Sequence, residues 1–107
     1  MKITAIKYFE AFEKKDINSI REIFDINVTL RDWEISALGI DAVLAATAKT
    51  FHFAETISIQ IINIFQDHAL LVCELKVTIN GLNPIHVVDI IEFNSIGKIC
   101  VIRAFKG

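Results

Sequence analysis

Cysteine is scarce: only Cys73 and Cys100 occur in the 107-residue chain. Two lone cysteines at that separation match no zinc or redox spacing, which excludes a disulfide scaffold and a thiolate metal module. Both fall in strand-like segments, where the expected reading is buried free thiols in a cytoplasmic protein. Positive charge is not concentrated either. Eleven Lys and Arg against thirteen Asp and Glu give a net charge of −2 with no basic cluster. Nucleic-acid binding needs concentrated positive charge opposite phosphates, so that class is excluded. No apolar run reaches the roughly 18–20 residues of a membrane span. The first residues carry Lys2, Lys7 and Glu10 inside a helical pattern, which is not the pattern of a signal peptide. Proline occurs once, as Pro84, and the few glycines fall at turns rather than inside elements. No linker, repeat or low-complexity tract is therefore expected. No set of His, Cys or carboxylates has ligand spacing, so no metal or other cofactor is expected. A Ser–His–Asp arrangement has no local signature.

Apolar residues are plentiful. At 53% apolar and 22% charged, the chain is ample for one core in one domain spanning residues 1–107. Its order reads helix, helix, short strand, helix, then strands to the end. Residues 3–15 form the first helix, with Ile6, Phe9 and Phe12 inward and Ala5 and Tyr8 on the flank. Asp16 and Asn18 supply capping chemistry for a short second helix carrying Ile17, Ile20, Ile23 and Phe24. Val28 to Glu34 reads as a strand, followed by a loop from Trp33 to Leu38. A third helix runs from about Asp41 to Phe51, with Asp41 as N-cap. From Glu55 onward the alternation is that of strands. Ile57, Ile59, Ile61 and Phe65 share one face of the first, and Leu71, Cys73, Leu75, Val77 and Ile79 one face of the next. The last two strands form a hairpin around Asn94–Gly97. This is an α+β order. The expected architecture is a cone-shaped curved antiparallel sheet with the three helices on its concave face, a cystatin-like α+β barrel with a pocket left at one end.

Two carboxylates interrupt apolar rows. Val87, Asp89, Ile91 and Phe93 share one strand face, and Val28, Leu30 and Asp32 share another. An ionised carboxylate on a buried face costs several kcal/mol, roughly, unless paired. It commonly keeps its proton instead, and a neutral carboxylic acid is a hydrogen-bond donor. Plain structural roles stand beside the functional ones. Asp32 could cap a backbone amide at the strand end, Asp89 could be satisfied by Tyr8, and Tyr8 could be a core-edge tyrosine. Trp33 reads as packing or pocket rim. Arg103 could pair with Glu92 or Glu74.

The segments YFEAFEKKDINSIREIF, VTLRDW, the Gly39–Ile40 helix start and VVDIIEFNSIGKICVIRAF, in this order and spacing, resemble the nuclear transport factor 2-like superfamily. Within it they resemble the ketosteroid isomerase and SnoaL-like group, over nearly the whole chain. That group carries a tyrosine in its first helix, an aspartate base ending the first strand, and an aspartate on the penultimate strand. Tyr8, Asp32 and Asp89 stand at those places. The resemblance implies cofactor-free proton transfer on a small hydrophobic carbonyl compound. Asp32 would move the proton, while Tyr8 and protonated Asp89 would hydrogen-bond the developing enolate oxygen, the role in which a neutral aspartic acid is known from the ketosteroid isomerases. Trp33 follows the base where those isomerases have proline, and Thr47 and Ile79 stand where they have further tyrosines. A SnoaL-like cyclase or dehydratase using the same aspartate, and a non-catalytic binding module, remain alternatives. The other sheet face is also apolar, through Ile62, Ile64, Leu70, Val72, Val88, Ile90, Val101 and Phe105. A sheet apolar on both faces needs a second layer. The expected partner is a second copy of the chain, docked back to back.

Overall fold

The computed structural model describes all residues from Met1 to Gly107. Helix α1 spans Lys2–Glu13, α2 Ile17–Ile23 and α3 Ile40–Phe53. Strands β1 (Phe24–Arg31), β2 (Ser36–Leu38), β3 (Ile57–Asp67), β4 (Leu70–Ile79), β5 (Ile85–Phe93) and β6 (Ile99–Lys106) form one sheet in the order β2-β1-β6-β5-β4-β3. The molecule is α+β, with three helices against a curved, unclosed sheet. No helix is long and apolar enough to cross a membrane.

Alternation builds the strands and spacing builds the helices. Along β5 the pattern Val87, Asp89, Ile91, Phe93 is buried and its intervening residues are not. On α1 the buried stripe is Ala5, Tyr8, Phe9, with Phe12 packed beside it, the i, i+3, i+4, i+7 face of a helix. Ile6, expected inside, is 37% exposed. The bulkier aromatic rings take the core, and the face turns by about one position. Asp16 caps α2 by accepting from the backbone N–H of Ser19 at 3.2 Å and from its hydroxyl at 2.6 Å. Asp16→Ala is expected to lower stability by about 1 kcal/mol, read as a shift in the urea midpoint; an unchanged midpoint would count against the cap.

Four features depart from the sequence expectation. Helix α3 begins earlier, with Gly39 at its N-cap and φ at 88°. That conformation favours glycine, and Asp41 sits in the first turn, two residues past the cap, where its charge suits the helix dipole. The segment expected as loop contains β2, paired antiparallel with β1 through Leu30 and Ala37. The sheet is mixed: β1 runs parallel to β6, with Leu30 beside Ile102, while the other four pairings are antiparallel. Finally, the β3–β4 register shifts between Ile61 and Asn63. One extra residue in a strand inverts the alternation beyond it. Ile64 therefore packs on the core, and Phe65, expected inside, is 60% exposed on the back of the sheet.

Helix α1 is tied to the sheet at its far end. Glu13 accepts from the backbone N–H of Ile59 at 2.9 Å, which occupies a donor on the edge strand β3. Lys15 donates to the carbonyl of Ala54 after α3. At the base, Asn94 donates to Asp25 at 2.9 Å and accepts from the backbone of Ile96 and Lys98, which fixes the β5–β6 turn against β1. Ile20, Val28, Val43, Ile91 and Ile99 close the core at this end. The opposite end stays open.

Candidate active site

The open end holds a cavity of about 310 Å³, lined by 19 residues of which 14 are hydrophobic. Tyr8, Asp32 and Asp89 all line it. Residues from three separate parts of the chain thus meet in one pocket. Thr47, Ile79 and Trp33 line it as well.

Asp89 is 8% exposed, in the middle of β5. Its cross-strand neighbours are Cys73 and Ala104. Both are small, so the sheet leaves space above the carboxyl. Burial, and then the nearby charge of Asp32, push its pKa up from 3.8 to about 7. The acid is thus poised between donor and acceptor near neutral pH. Burial, followed by Asp89, also raises the Cys73 thiol to about 12, so Cys73 is an inert floor beneath the carboxyl.

Tyr8 is 5% exposed and wedged among Phe9, Phe12 and Phe24, with ring centroids 5.4, 5.9 and 5.7 Å away. Tilted and edge-on packing of this kind locks the ring direction. Burial, then the charges of Asp89 and Asp32, hold its hydroxyl well above the ordinary tyrosine value. Tyr8 is therefore a neutral donor at any ordinary pH. Its hydroxyl and the Asp89 carboxyl form no hydrogen bond with each other or with other protein groups, and neither has polar atoms sealed off without a partner. Both present their polar atoms to the cavity.

Asp32 follows the last residue of β1. Its Oδ1 accepts from the backbone N–H of Glu34 at 2.8 Å and of Ile35 at 2.6 Å, while its own N–H donates to the carbonyl of Ile35 at 2.9 Å. The capping role considered from sequence is real, and it occupies one oxygen. The other oxygen remains free at the cavity wall. The turn also carries Trp33, Glu34 and Ile35 round the pocket mouth. Sequence reasoning did not single out Glu34, Ile35 or Thr50. The signal for the first two was the aspartate turn itself, a common local pattern. Thr50 sits one turn beyond Thr47 on the same side of α3.

The histidines stand apart. His86 projects to the back of the sheet and bonds Glu74 at 2.7 Å, and His68 lies in the β3–β4 turn. Arg103 pairs with Glu92 at 2.5 Å, also on the back. No group of three or more His, Cys, Asp or Glu is arranged to hold a metal ion.

A half-cone of helices on a curved sheet, closed at one end and holding acids in an apolar pocket at the other, defines a class of α+β fold. Within that class the chain belongs to the SnoaL-like domain family, whose sequence profile matches residues 5–102. The family is part of the nuclear transport factor 2-like group. Solved structures agree on the fold. A proposed SnoaL-like polyketide cyclase from Shewanella denitrificans superposes with a TM-score of 0.88 at 12% identity, covering 99% of this chain and 89% of that one. A proposed isomerase of the SnoaL-like family from Agrobacterium tumefaciens gives 0.85 at 11% identity, covering 99% and 96%. An epoxide hydrolase of the LEH-like type from M. tuberculosis gives 0.81 at 14% identity, covering 97% and 80%. At such identities the likeness is one of fold. No curated protein matches the chain.

Proposed function

We propose that the protein is a cofactor-free proton-transfer enzyme of the ketosteroid isomerase kind, acting on a small hydrophobic carbonyl compound. One observation carries this reading: Asp32, Tyr8 and Asp89 line a single, predominantly apolar cavity. The substrate carbonyl would sit against Tyr8 and neutral Asp89. The free oxygen of Asp32 would take a proton from the carbon beside the carbonyl. Charge then develops on the carbonyl oxygen, where two preorganised donors stabilise it more than they stabilise the ground state. Asp32 returns the proton to a different carbon, and the double bond has moved. Proton out and proton in balance, so no cofactor is needed. An aldol-type cyclisation or a dehydration could begin with the same proton removal, which keeps the SnoaL-like cyclase or dehydratase reading as the alternative.

At about 310 Å³ the cavity is at the small end of ligand pockets, which run from roughly 300 to 1,000 Å³. The test is therefore an isomerase assay on a β,γ-unsaturated ketosteroid and on a one-ring β,γ-unsaturated ketone, followed by the absorbance of the conjugated product. Turnover of either supports the reading. No turnover of both would overturn isomerisation.

The assembly proposed is a homodimer through the back of the sheet. Phe65 is 60% and Phe105 55% exposed there, with Val72, Val88, Ile90 and Val101 half-buried between them and no second layer over them. A reducing, cytoplasmic location suits the two free thiols. Sedimentation at micromolar concentration is expected to give a dimer mass for the wild type and a monomer mass for Phe105→Asp. A monomeric wild type would contradict the assembly.

A further inference from the structure

The polar groups of the cavity are unevenly divided between donors and acceptors. Its ionisable wall consists of Asp32, Glu34, Asp89 and Tyr8, and no Lys, Arg or His lines it. The two threonines do not correct the imbalance. Thr47 donates its hydroxyl to the carbonyl of Val43 at 2.8 Å, and Thr50 donates to that of Ala46 at 3.3 Å. Each hydroxyl proton is spent on its own helix, so each oxygen faces the cavity as an acceptor. At the mouth, the backbone N–H groups of Glu34 and Ile35 are consumed by Asp32. In the buried part of the cavity the Tyr8 hydroxyl and the protonated form of Asp89 are left to donate, and at the exposed mouth the indole N–H of Trp33 joins them.

Resting on the proton-transfer reading above, we infer that the cavity selects neutral or cationic carbonyl compounds carrying a hydrogen-bond donor, and rejects anions. A carbonyl oxygen uses the two buried donors, Tyr8 and Asp89. A hydroxyl or amine elsewhere on the ligand then meets lone pairs of Thr47, Thr50 or Glu34. An anionic group meets carboxylates in a pocket whose apolar walls weaken screening, and it finds no cation to offset them. Carboxylic acids, phosphorylated metabolites and similar anions are thereby excluded as substrates, while hydroxylated or amino ketones are favoured.

Calorimetric titration near neutral pH tests this with four probes of one size: a phenylalkyl methyl ketone, the same ketone with a ring hydroxyl, the matching primary amine and the matching carboxylate. The hydroxylated ketone is expected to bind at least threefold more tightly than the plain ketone. The carboxylate is expected to bind at least tenfold more weakly, about 1.4 kcal/mol, and the amine to bind at least as well as the ketone. In the double variant Asp32→Asn, Glu34→Gln the carboxylate deficit is expected to shrink below threefold. A carboxylate that binds as well as the ketone, a deficit unchanged in the double variant, or no heat from any probe would each overturn the selectivity. Because binding is read without turnover, the order can hold while the isomerase assay fails, and that outcome would sink only the enzymatic reading.

Discussion

Asp32→Asn is expected to lower kcat/KM for ketone isomerisation by about 10²–10⁴-fold, the usual contribution of a positioned general base. The substitution is well suited to the site because it separates the two jobs of this residue. The asparagine Oδ1 can still accept from the N–H groups of Glu34 and Ile35, so the turn at the pocket mouth stays in place. The amide nitrogen then replaces the free oxygen, and an amide cannot take the proton. Stability is expected to change by no more than about 1 kcal/mol. A second effect follows from the electrostatics. The charge of Asp32 helps to raise Asp89, so its removal lets the Asp89 pKa fall back toward the value that burial alone sets. Unchanged turnover in this variant would remove Asp32 from the chemistry.

The second large effect concerns stability and pH. Asp89 titrates at about 7 in the folded protein against 3.8 ordinarily, because burial and the Asp32 charge disfavour its ionised form. The folded state therefore holds this proton more tightly than the unfolded chain does. Below pH about 4 both states are protonated and the residue costs nothing. Between about 4 and 7 the unfolded chain releases the proton first, and stability falls as pH rises. Above about 7 the loss is complete, on the order of 4 kcal/mol for a shift of roughly three units. Asparagine cannot ionise. Asp89→Asn is expected to match the wild type near pH 4 and to exceed it at pH 8 by up to about 4 kcal/mol, or on the order of 15–20 °C in Tm. Taking the difference between the two proteins cancels every titration they share. A difference that does not grow with pH would contradict the buried acid. Activity should mirror this. Wild-type kcat/KM is expected to fall as pH rises through about 7, where Asp89 stops donating, and the decline should be missing in Asp89→Asn, whose amide donates at every pH. A residue that destabilises the fold at neutral pH while facing an open cavity is one whose cost is more readily understood through function.

Much of this was legible in the sequence because polar residues broke apolar rows. Asp89 in the β5 face and Asp32 at the end of the β1 face stood out by alternation alone. Tyr8 was legible from helical spacing, and its partnership with the two acids from the family resemblance. The role of Asp32 in the turn and its place on the cavity wall were both anticipated, and both hold at once. Other features depend on distances along the chain that local pattern does not encode. The parallel pairing of β1 with β6 joins residues about seventy positions apart, and β2 gains strand geometry only because β1 offers it an edge. The inversion at Ile62 is invisible in a run of isoleucines, where either parity reads as apolar. The donor shortage in the cavity was hidden for a different reason. It depends on where the hydroxyl protons of Thr47 and Thr50 go, and that is decided by the turns of α3 rather than by residue type.

Solvent-deuterium exchange tests the central claim most directly, because it reads proton removal whether the product is an isomer or a cyclised compound. A hydroxylated one-ring ketone is incubated with protein in D₂O, and its α-protons are followed by NMR. Wild-type protein is expected to speed the loss of one α-proton signal well beyond the buffer rate, and Asp32→Asn to return the rate to that of buffer. Equal exchange with wild type, Asp32→Asn and buffer would contradict a proton-transfer site built on Asp32.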